Sequence, residues 1–198
     1  MMLEMMKKDE FDQVFSLMER SFPTDEYRSY KEQKALLERS EYRIYVLHGI
    51  KHTDIRAFLA IWNLSDFTFL EHFASAPEVR GQGIGSAALR EAGRLFSGQI
   101  CLEVELPETE IAKRRIAFYE RNGFYLNDNP YFQPPISKGK QKIPLMIMTS
   151  EGRVGKERFA EIRDRLYREV YQISCAEVLD KNANNQWRKI YGIKETGI

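Results

Sequence analysis

The chain has 198 residues, 43% hydrophobic and 30% charged, with 30 Lys+Arg against 29 Asp+Glu and a formal net charge of +1. That length suits one domain able to bury roughly 70% of the surface of its unfolded chain, and the even charge balance offers no broad electrostatic footprint for nucleic acid. Two cysteines, Cys101 and Cys175, cannot form a disulfide framework, and no apolar run approaches the ~20 residues of a membrane span. The first ten residues show no apolar stretch after their charges, so no secretory signal is visible. A cytoplasmic protein with neither a membrane nor a nucleic-acid partner is the expectation.

From Glu10 to Arg20, the residues Phe11, Val14, Phe15 and Met18 recur on one face of a helix. Ser21-Phe22-Pro23-Thr24-Asp25-Glu26 breaks it, because a proline disfavours helix at the residue before it. A more polar helix is predicted over Ser29 to Glu38. Three strand-like runs follow, Tyr42 to His48, Ile55 to Leu64 and Phe67 to Ala74; their short polar connectors predict antiparallel neighbours.

Beyond Ala74 the pattern changes. A Gly-rich turn at Arg80 to Gly85 opens a predicted helix, Ser86 to Phe96, and a buried strand follows at Gln99 to Leu106. A helix at Ile111 to Asn122 is closed by Gly123, a favoured helix-ending residue. Phe124 to Leu126 and Ile143 to Met148 are the last strands, separated by a loop rich in Pro and polar residues. Phe159, Ile162, Leu166, Val170 and Ile173 step by 3, 4, 4 and 3 and mark a C-terminal amphipathic helix. Its apolar face packs on the domain in the simplest reading; a homodimer seam is the alternative. Antiparallel strands followed by strand–helix–strand–helix–strand indicate an α+β fold with a mixed sheet, one domain over residues 1–175 and a polar tail over 176–198.

The most informative stretch is Arg80-Gly81-Gln82-Gly83-Ile84-Gly85-Ser86. Glycines let backbone approach a ligand closely, and the N–H groups opening the next helix are unpaired donors at the positive end of its dipole. Such a turn can hold a pyrophosphate, with Arg80 adding a cation; it can equally be a plain structural turn. Gly83-Ile84-Gly85-Ser86-Ala87-Ala88 formally satisfies the dinucleotide fingerprint G-x-G-x-x-A, with Glu103 twenty residues beyond Gly83. That fingerprint needs a strand running straight into its first glycine, whereas Ala76-Pro77-Glu78-Val79-Arg80 intervenes after an antiparallel meander.

Coenzyme A is the other reading. The turn resembles the R/Q-x-x-G-x-G/A motif of the GNAT family of N-acetyltransferases, with Arg80, Gly83 and Gly85 at the matching positions. Arg115-Ile116-Ala117-Phe118-Tyr119-Glu120-Arg121-Asn122-Gly123-Phe124 is similar to the family's A-x-x-x-Y-x-x-x-G-F, and Tyr119 follows Gly83 by 36 residues, a usual separation there. The resemblance covers roughly Glu10 to Thr149. It implies a mostly antiparallel central sheet flanked by helices, with the C-terminal helix as an addition, and acetyl-CoA as co-substrate without a metal. It also implies a cofactor site at the end of one strand (Phe73, Ala74, Ser75) and on the turn from Arg80 through Gly81, Gln82, Gly83, Ile84 and Gly85 to Ser86. Three positions depart from the family pattern, which often has Asn where Ala112 stands and Ala where Arg115 stands, and usually has Val where Ser75 stands.

Acetyl transfer to an amine needs a neutral amine, a polarised carbonyl and a proton for the departing thiolate. In Phe67-Thr68-Phe69-Leu70-Glu71-His72-Phe73, strand alternation puts Glu71 on one face with Phe67, Phe69 and Phe73, and His72 on the other. A carboxylate among aromatics is desolvated, which raises its pKa toward that of a general base; the family places a catalytic Glu on this strand in several members. Cys101, Glu103 and Glu105 alternate onto one face, where the two carboxylates either line an acceptor pocket or form a solvated edge. By the resemblance, Tyr119 is the proton donor, and the loops Phe22 to Glu26 and Tyr131 to Pro135 border the acceptor site. The expected function is acetyl transfer from acetyl-CoA directly to a primary amine of a small molecule or peptide, with Glu71 as base and Tyr119 as acid. The alternatives are an acyl-CoA-binding module without turnover and, third, a dinucleotide-dependent oxidoreductase.

Overall fold

The computed structural model describes residues 2–49 and 54–178. Its strands are β1 (Glu4–Met5), β2 (Tyr42–His48), β3 (Ile55–Asn63), β4 (Phe67–Ser75), β5 (Gln99–Glu105), β6 (Phe124–Leu126), β7 (Tyr131–Gln133) and β8 (Ile143–Ser150). The helices are α1 (Phe11–Glu19), α2 (Tyr30–Ala35), α3 (Ile84–Leu95), α4 (Glu110–Arg121), α5 (Lys156–Arg165) and α6 (Cys175–Val178). All the strands form one sheet in the order β1-β2-β3-β4-β5-β8-β6, with β7 also on β8. Among the described residues only β4 and β5 run parallel, and every other pairing is antiparallel. This is the mixed α+β architecture that the order of elements predicts.

Local chemistry explains where the elements stop. Ser29 caps α2 by accepting from the Glu32 N–H while Glu32 reaches back to the Ser29 backbone, and Thr109 caps α4 by accepting from the Ala112 N–H. Gly123 takes φ +85° after α4, where a side chain would be strained. The strand β7 was not expected, because Tyr131 to Gln133 is too short to show a period and sits between Pro130 and Pro134; its register with β8, from Tyr131↔Leu145 to Gln133↔Ile143, supplies the evidence. Residues 179–198 of the expected tail lie outside the described residues, as do residues 50–53 of the connector from Gly49 to Asp54. Among residues 176–178, Val178 is buried in the main core.

Two cores cover the two faces of the sheet. On one, Phe11, Val14 and Met18 of α1 meet Phe58, Trp62, Phe67 and Phe69, joined by Phe159, Ile162, Leu166 and Val170 from the C-terminal segment. That segment therefore packs on the domain, as its apolar stripe suggests. Arg158 and Arg165 also clamp Asp66 in the β3–β4 turn, and Arg165 donates to the Leu64 carbonyl. On the other face, Ile84, Ala88 and Leu89 of α3 and Ile116 and Tyr119 of α4 cover Leu59, Ile61, Leu70, Leu102 and Val104.

One irregularity in β4 corrects the expected alternation. The β3–β4 register runs from Ile61↔Leu70 to Ala60↔His72, so Glu71 is an extra residue without a cross-strand partner, a β-bulge. The period-2 pattern shifts by one there. His72 falls on the same face as Glu71 rather than the opposite one, with its Nδ1 3.6 Å from Glu71 Oε2. Phe73 switches to the other face and packs near Phe118 and Tyr119.

Candidate active site

Strands β4 and β5 pair only from Phe67↔Gln99 to Leu70↔Leu102. Beyond that point both strands continue unpaired with one another, β4 bent by its bulge, and a cleft of about 670 Å³ opens between them. The cleft runs from the turn before α3, past Phe73 and Tyr119, to a group of carboxylates on the far face of the sheet.

The turn end is built by glycine. Gly83 is the N-cap of α3 at φ +75°, and Gly81 stands at φ +78°. A Cβ added at either would meet nothing within 4 Å among the described residues, which leave the space above both open. The helix starts at Ile84, two residues earlier than expected, and its first turn closes through the Ala87 N–H to the Gly83 carbonyl at 3.0 Å. The N–H groups of Ile84, Gly85 and Ser86 are thus first-turn donors at the positive end of the helix dipole. Phe73, Ala74, Ser75, Arg80, Gly81, Gly83, Ile84, Gly85 and Ser86 all line the cleft. Gln82 does not; its side chain donates to the Glu78 carbonyl at 3.2 Å. Gly85 serves packing, since a Cβ there would stand 3.0 Å from Phe118 Cζ. An open cradle of helix-start donors beside an arginine fits the pyrophosphate of coenzyme A.

The opposite end holds two carboxylates in contrasting surroundings. Glu71, its side chain 2% exposed, accepts from Arg28 Nη1 at 2.7 Å and from Trp62 Nε1 at 3.1 Å. Burial pushes its carboxyl upward, but the Arg28 charge and the neighbouring His72 outweigh that and hold it at about 2. The expectation of a Glu71 pKa raised by aromatic neighbours is therefore wrong: the arginine, 43 positions earlier in the chain, could not be seen in the strand's own pattern. His72 Nε2–H donates to the Glu26 carbonyl at 2.8 Å.

Glu103 lies on the cleft floor on the same face as Cys101 and Glu105, as alternation predicts. Both Tyr131 and Tyr171 donate their hydroxyls to it, Tyr171 at 2.9 and 2.8 Å from the two oxygens. Burial pushes its carboxyl up to about 7 against the phenol hydrogen bonds, which pull it down, and the charges of Glu71 and Glu26 add to the rise. Glu26 is raised as well, first by burial and then by Glu105, which pairs with Arg115. Phe22 and Glu26 from one predicted loop and Gln133 from the other line this end, and Gln133 Nε2 is buried without a partner among the described residues.

Tyr119 sits at the neck between the two ends, 7% exposed and ringed by Phe73, Phe118 and Phe124 at 5.3–6.5 Å. Burial pushes its phenol to about 12, so it carries its proton at neutral pH. Among the described residues, no group of three or more His, Cys, Asp or Glu side chains is arranged to hold a metal ion, and no helix is long and apolar enough to cross a membrane. The tyrosine grip on Glu103 had no local signal, because Tyr131 and Tyr171 lie 28 and 68 residues away in the chain.

Residues 40–126 match the model of the acetyltransferase (GNAT) domain family. No curated protein matches the chain. Among solved structures, an acetyltransferase assigned to the GNAT family from Bacteroides thetaiotaomicron is similar at 28% identity and a TM-score of 0.78, over 88% of this chain and 100% of that one. The ribosomal-protein-S18-alanine N-acetyltransferase of Escherichia coli shares the fold at 19% identity and a TM-score of 0.56, over 78% of this chain and 96% of that one. So does a chimera of the Vibrio cholerae spermidine N-acetyltransferase SpeG and hSSAT, at 14% identity and a TM-score of 0.58, over 76% and 96% respectively.

Proposed function

From the match of residues 40–126 to the acetyltransferase (GNAT) domain and the likeness to a GNAT-family acetyltransferase, we propose that the chain is an acyltransferase that moves an acetyl group from acetyl-CoA directly to a primary amine of a small molecule or peptide. The observation that carries this reading is the single cleft with a glycine-built anion cradle at one end and a carboxylate near neutral pKa at the other. Acetyl-CoA, when bound, supplies a thioester whose carbonyl carbon accepts the amine. The backbone N–H groups of Ile84, Gly85 and Ser86, with Arg80, hold its pyrophosphate, and the unpaired edge at Phe73, Ala74 and Ser75 borders the rest of it.

Roles at the acceptor end follow from the two carboxylates. An ammonium group must lose a proton before it can attack, and a base with a pKa near the working pH takes it best. Glu103, at about 7, meets that condition; Glu71, at about 2, is a far weaker acceptor. Glu103 therefore replaces Glu71 as the proposed base. Glu71 and Arg28 form a buried ion pair beside it that fixes the bulge and the acceptor wall. The phenol of Tyr119 holds a proton at the neck of the cleft, where a departing thiolate needs one. Arg28 and Arg115 each pair with a carboxylate, leaving Glu26 and Glu103 to face a cationic amine.

The test is release of coenzyme A thiol from acetyl-CoA across a panel of polyamines, amino acids and peptides with free N-termini. Amine-dependent release with at least one class is the expected result. Acetyl-CoA binding with no release from any amine would favour the acyl-CoA-binding module instead.

A further inference from the structure

We propose that the C-terminal helical segment is a working part of this active site, with its Tyr171 and the Tyr131 of β7 acting as positioning residues that fix the Glu103 carboxylate at the acceptor end of the cleft. The inference rests on the reading of Glu103 as proton acceptor.

The segment is built to deliver this contact. After α5 the chain widens into a π-turn over Leu166–Val170, and the Tyr171 N–H bonds the Leu166 carbonyl five residues back, at 3.1 Å. An extra residue in a helical turn rotates everything beyond it by about 100°, so Leu166, Tyr167, Val170 and Tyr171 can all face the sheet. Tyr167 stacks on the ring of Tyr131, with centroids 5.6 Å apart at 28°, and donates its hydroxyl to the Phe132 carbonyl at 2.7 Å. The π-turn thus holds Tyr131 and β7 with one tyrosine and reaches Glu103 with the next. Gln172, at φ +55°, ends the run directly afterwards.

A carboxylate at the floor of a desolvated cleft has two troubles: it can swing between rotamers, and nearby charge can force it to protonate. Glu103 faces Glu71 from β4 and Glu26 from the loop before α2, both of which disfavour its charge. Cys101 and Glu105 flank it on its own strand, and Arg28 and Arg115 are each engaged by another carboxylate. The two phenols are the groups that favour its ionised form. Among the described residues, Tyr131 bonds Oε1, whereas Oε2 carries only the bond it shares with Oε1 to Tyr171, so Oε2 keeps the capacity to accept a proton. The geometry holds the base in one orientation while leaving one oxygen receptive.

The test reads the carboxyl itself. In protein labelled with carboxyl-13C glutamate, the Glu103 resonance is assigned by its loss in Glu103→Gln and then titrated in wild type, Tyr171→Phe and Tyr131→Phe. Each Phe variant should move the Glu103 midpoint upward by about one pH unit, since each removes a hydrogen bond to the charged form. The acidic limb of amine-dependent thiol release should move with it, while the thermal shift given by acetyl-CoA stays the same. A Glu103 titration unchanged in both Phe variants would overturn the proposal alone, provided Glu103→Gln is inactive. A fully active Glu103→Gln would overturn the reading of Glu103 as base and the proposal with it.

Discussion

Glu71 and Glu103 lie on the same face of the sheet, and their surroundings push them in opposite directions. An arginine at 2.7 Å keeps the first ionised at neutral pH; burial and the charges of other carboxylates, against the pull of two phenols, bring the second to titrate near pH 7. The consequences differ. Glu103→Gln should lower turnover by about 10²–10⁴ and remove an acidic limb with a midpoint near pH 7, measured as thiol release from pH 5.5 to 9. Glu71→Gln leaves Arg28 buried without its counter-charge and should cost roughly 3–5 kcal/mol in urea unfolding. Tyr119→Phe keeps the ring that packs on Phe118 and Phe124, so the fold should persist while turnover falls about 10–10³-fold. Full activity in that variant would return Tyr119 to a packing role.

At the scale of elements, the start of α3 combines two demands in one residue. Gly83 adopts a left-handed conformation, and the space above it is open toward the cleft. Replacing it therefore has two separable effects. Gly83→Ala should destabilise the protein by about 1–2 kcal/mol through the left-handed backbone alone. Gly83→Asn tolerates that conformation better, so its melting temperature without ligand should stay closer to wild type, yet its side chain occupies the cradle. Differential scanning fluorimetry with and without acetyl-CoA distinguishes these: the Asn variant should lose the ligand shift while keeping most of its stability. Retention of the full shift would show that Gly83 only turns the chain.

For the whole molecule, the two carboxylates make opposing contributions to stability as pH changes. The folded value of Glu71, near 2, lies below its ordinary 4.5, so its stabilisation of roughly 3 kcal/mol is complete above about pH 4.5 and is lost as pH falls toward 2. Glu103 behaves in reverse. Its folded value near 7 lies above 4.5, so stability erodes as pH rises from about 4.5 through 7. Melting temperatures across pH 3–8 should therefore rise and then decline, and Glu103→Gln should flatten the decline between pH 5 and 8. An equal decline in that variant would assign it to other groups. A buried carboxylate that weakens the fold at working pH is a feature function retains at the expense of stability. Acetyl-CoA at one hundred times its dissociation constant should add about 2.7 kcal/mol, or roughly 5–10 °C in melting temperature.

Periodic and local information was legible in the sequence. The strands from Tyr42 to Ser75, the helices at α1, α3 and α4, the glycine turn and its spacing to Tyr119 follow from hydrophobic period, helix-ending glycine and motif order, all of which act between neighbouring residues. The alternation placing Cys101, Glu103 and Glu105 on one face held because β5 has no irregularity within it. The same rule failed for His72 and Phe73, because a bulge is set by how β3 and β4 register and leaves no mark in a seven-residue window. Electrostatic character was decided entirely in three dimensions. Arg28, Tyr131 and Tyr171 come from distant parts of the chain, and Trp62 from the neighbouring strand β3, to surround Glu71 and Glu103. A carboxylate's pKa depends on charges and donors within a few ångströms, whatever their separation in sequence, so only the tertiary structure could tell these two apart.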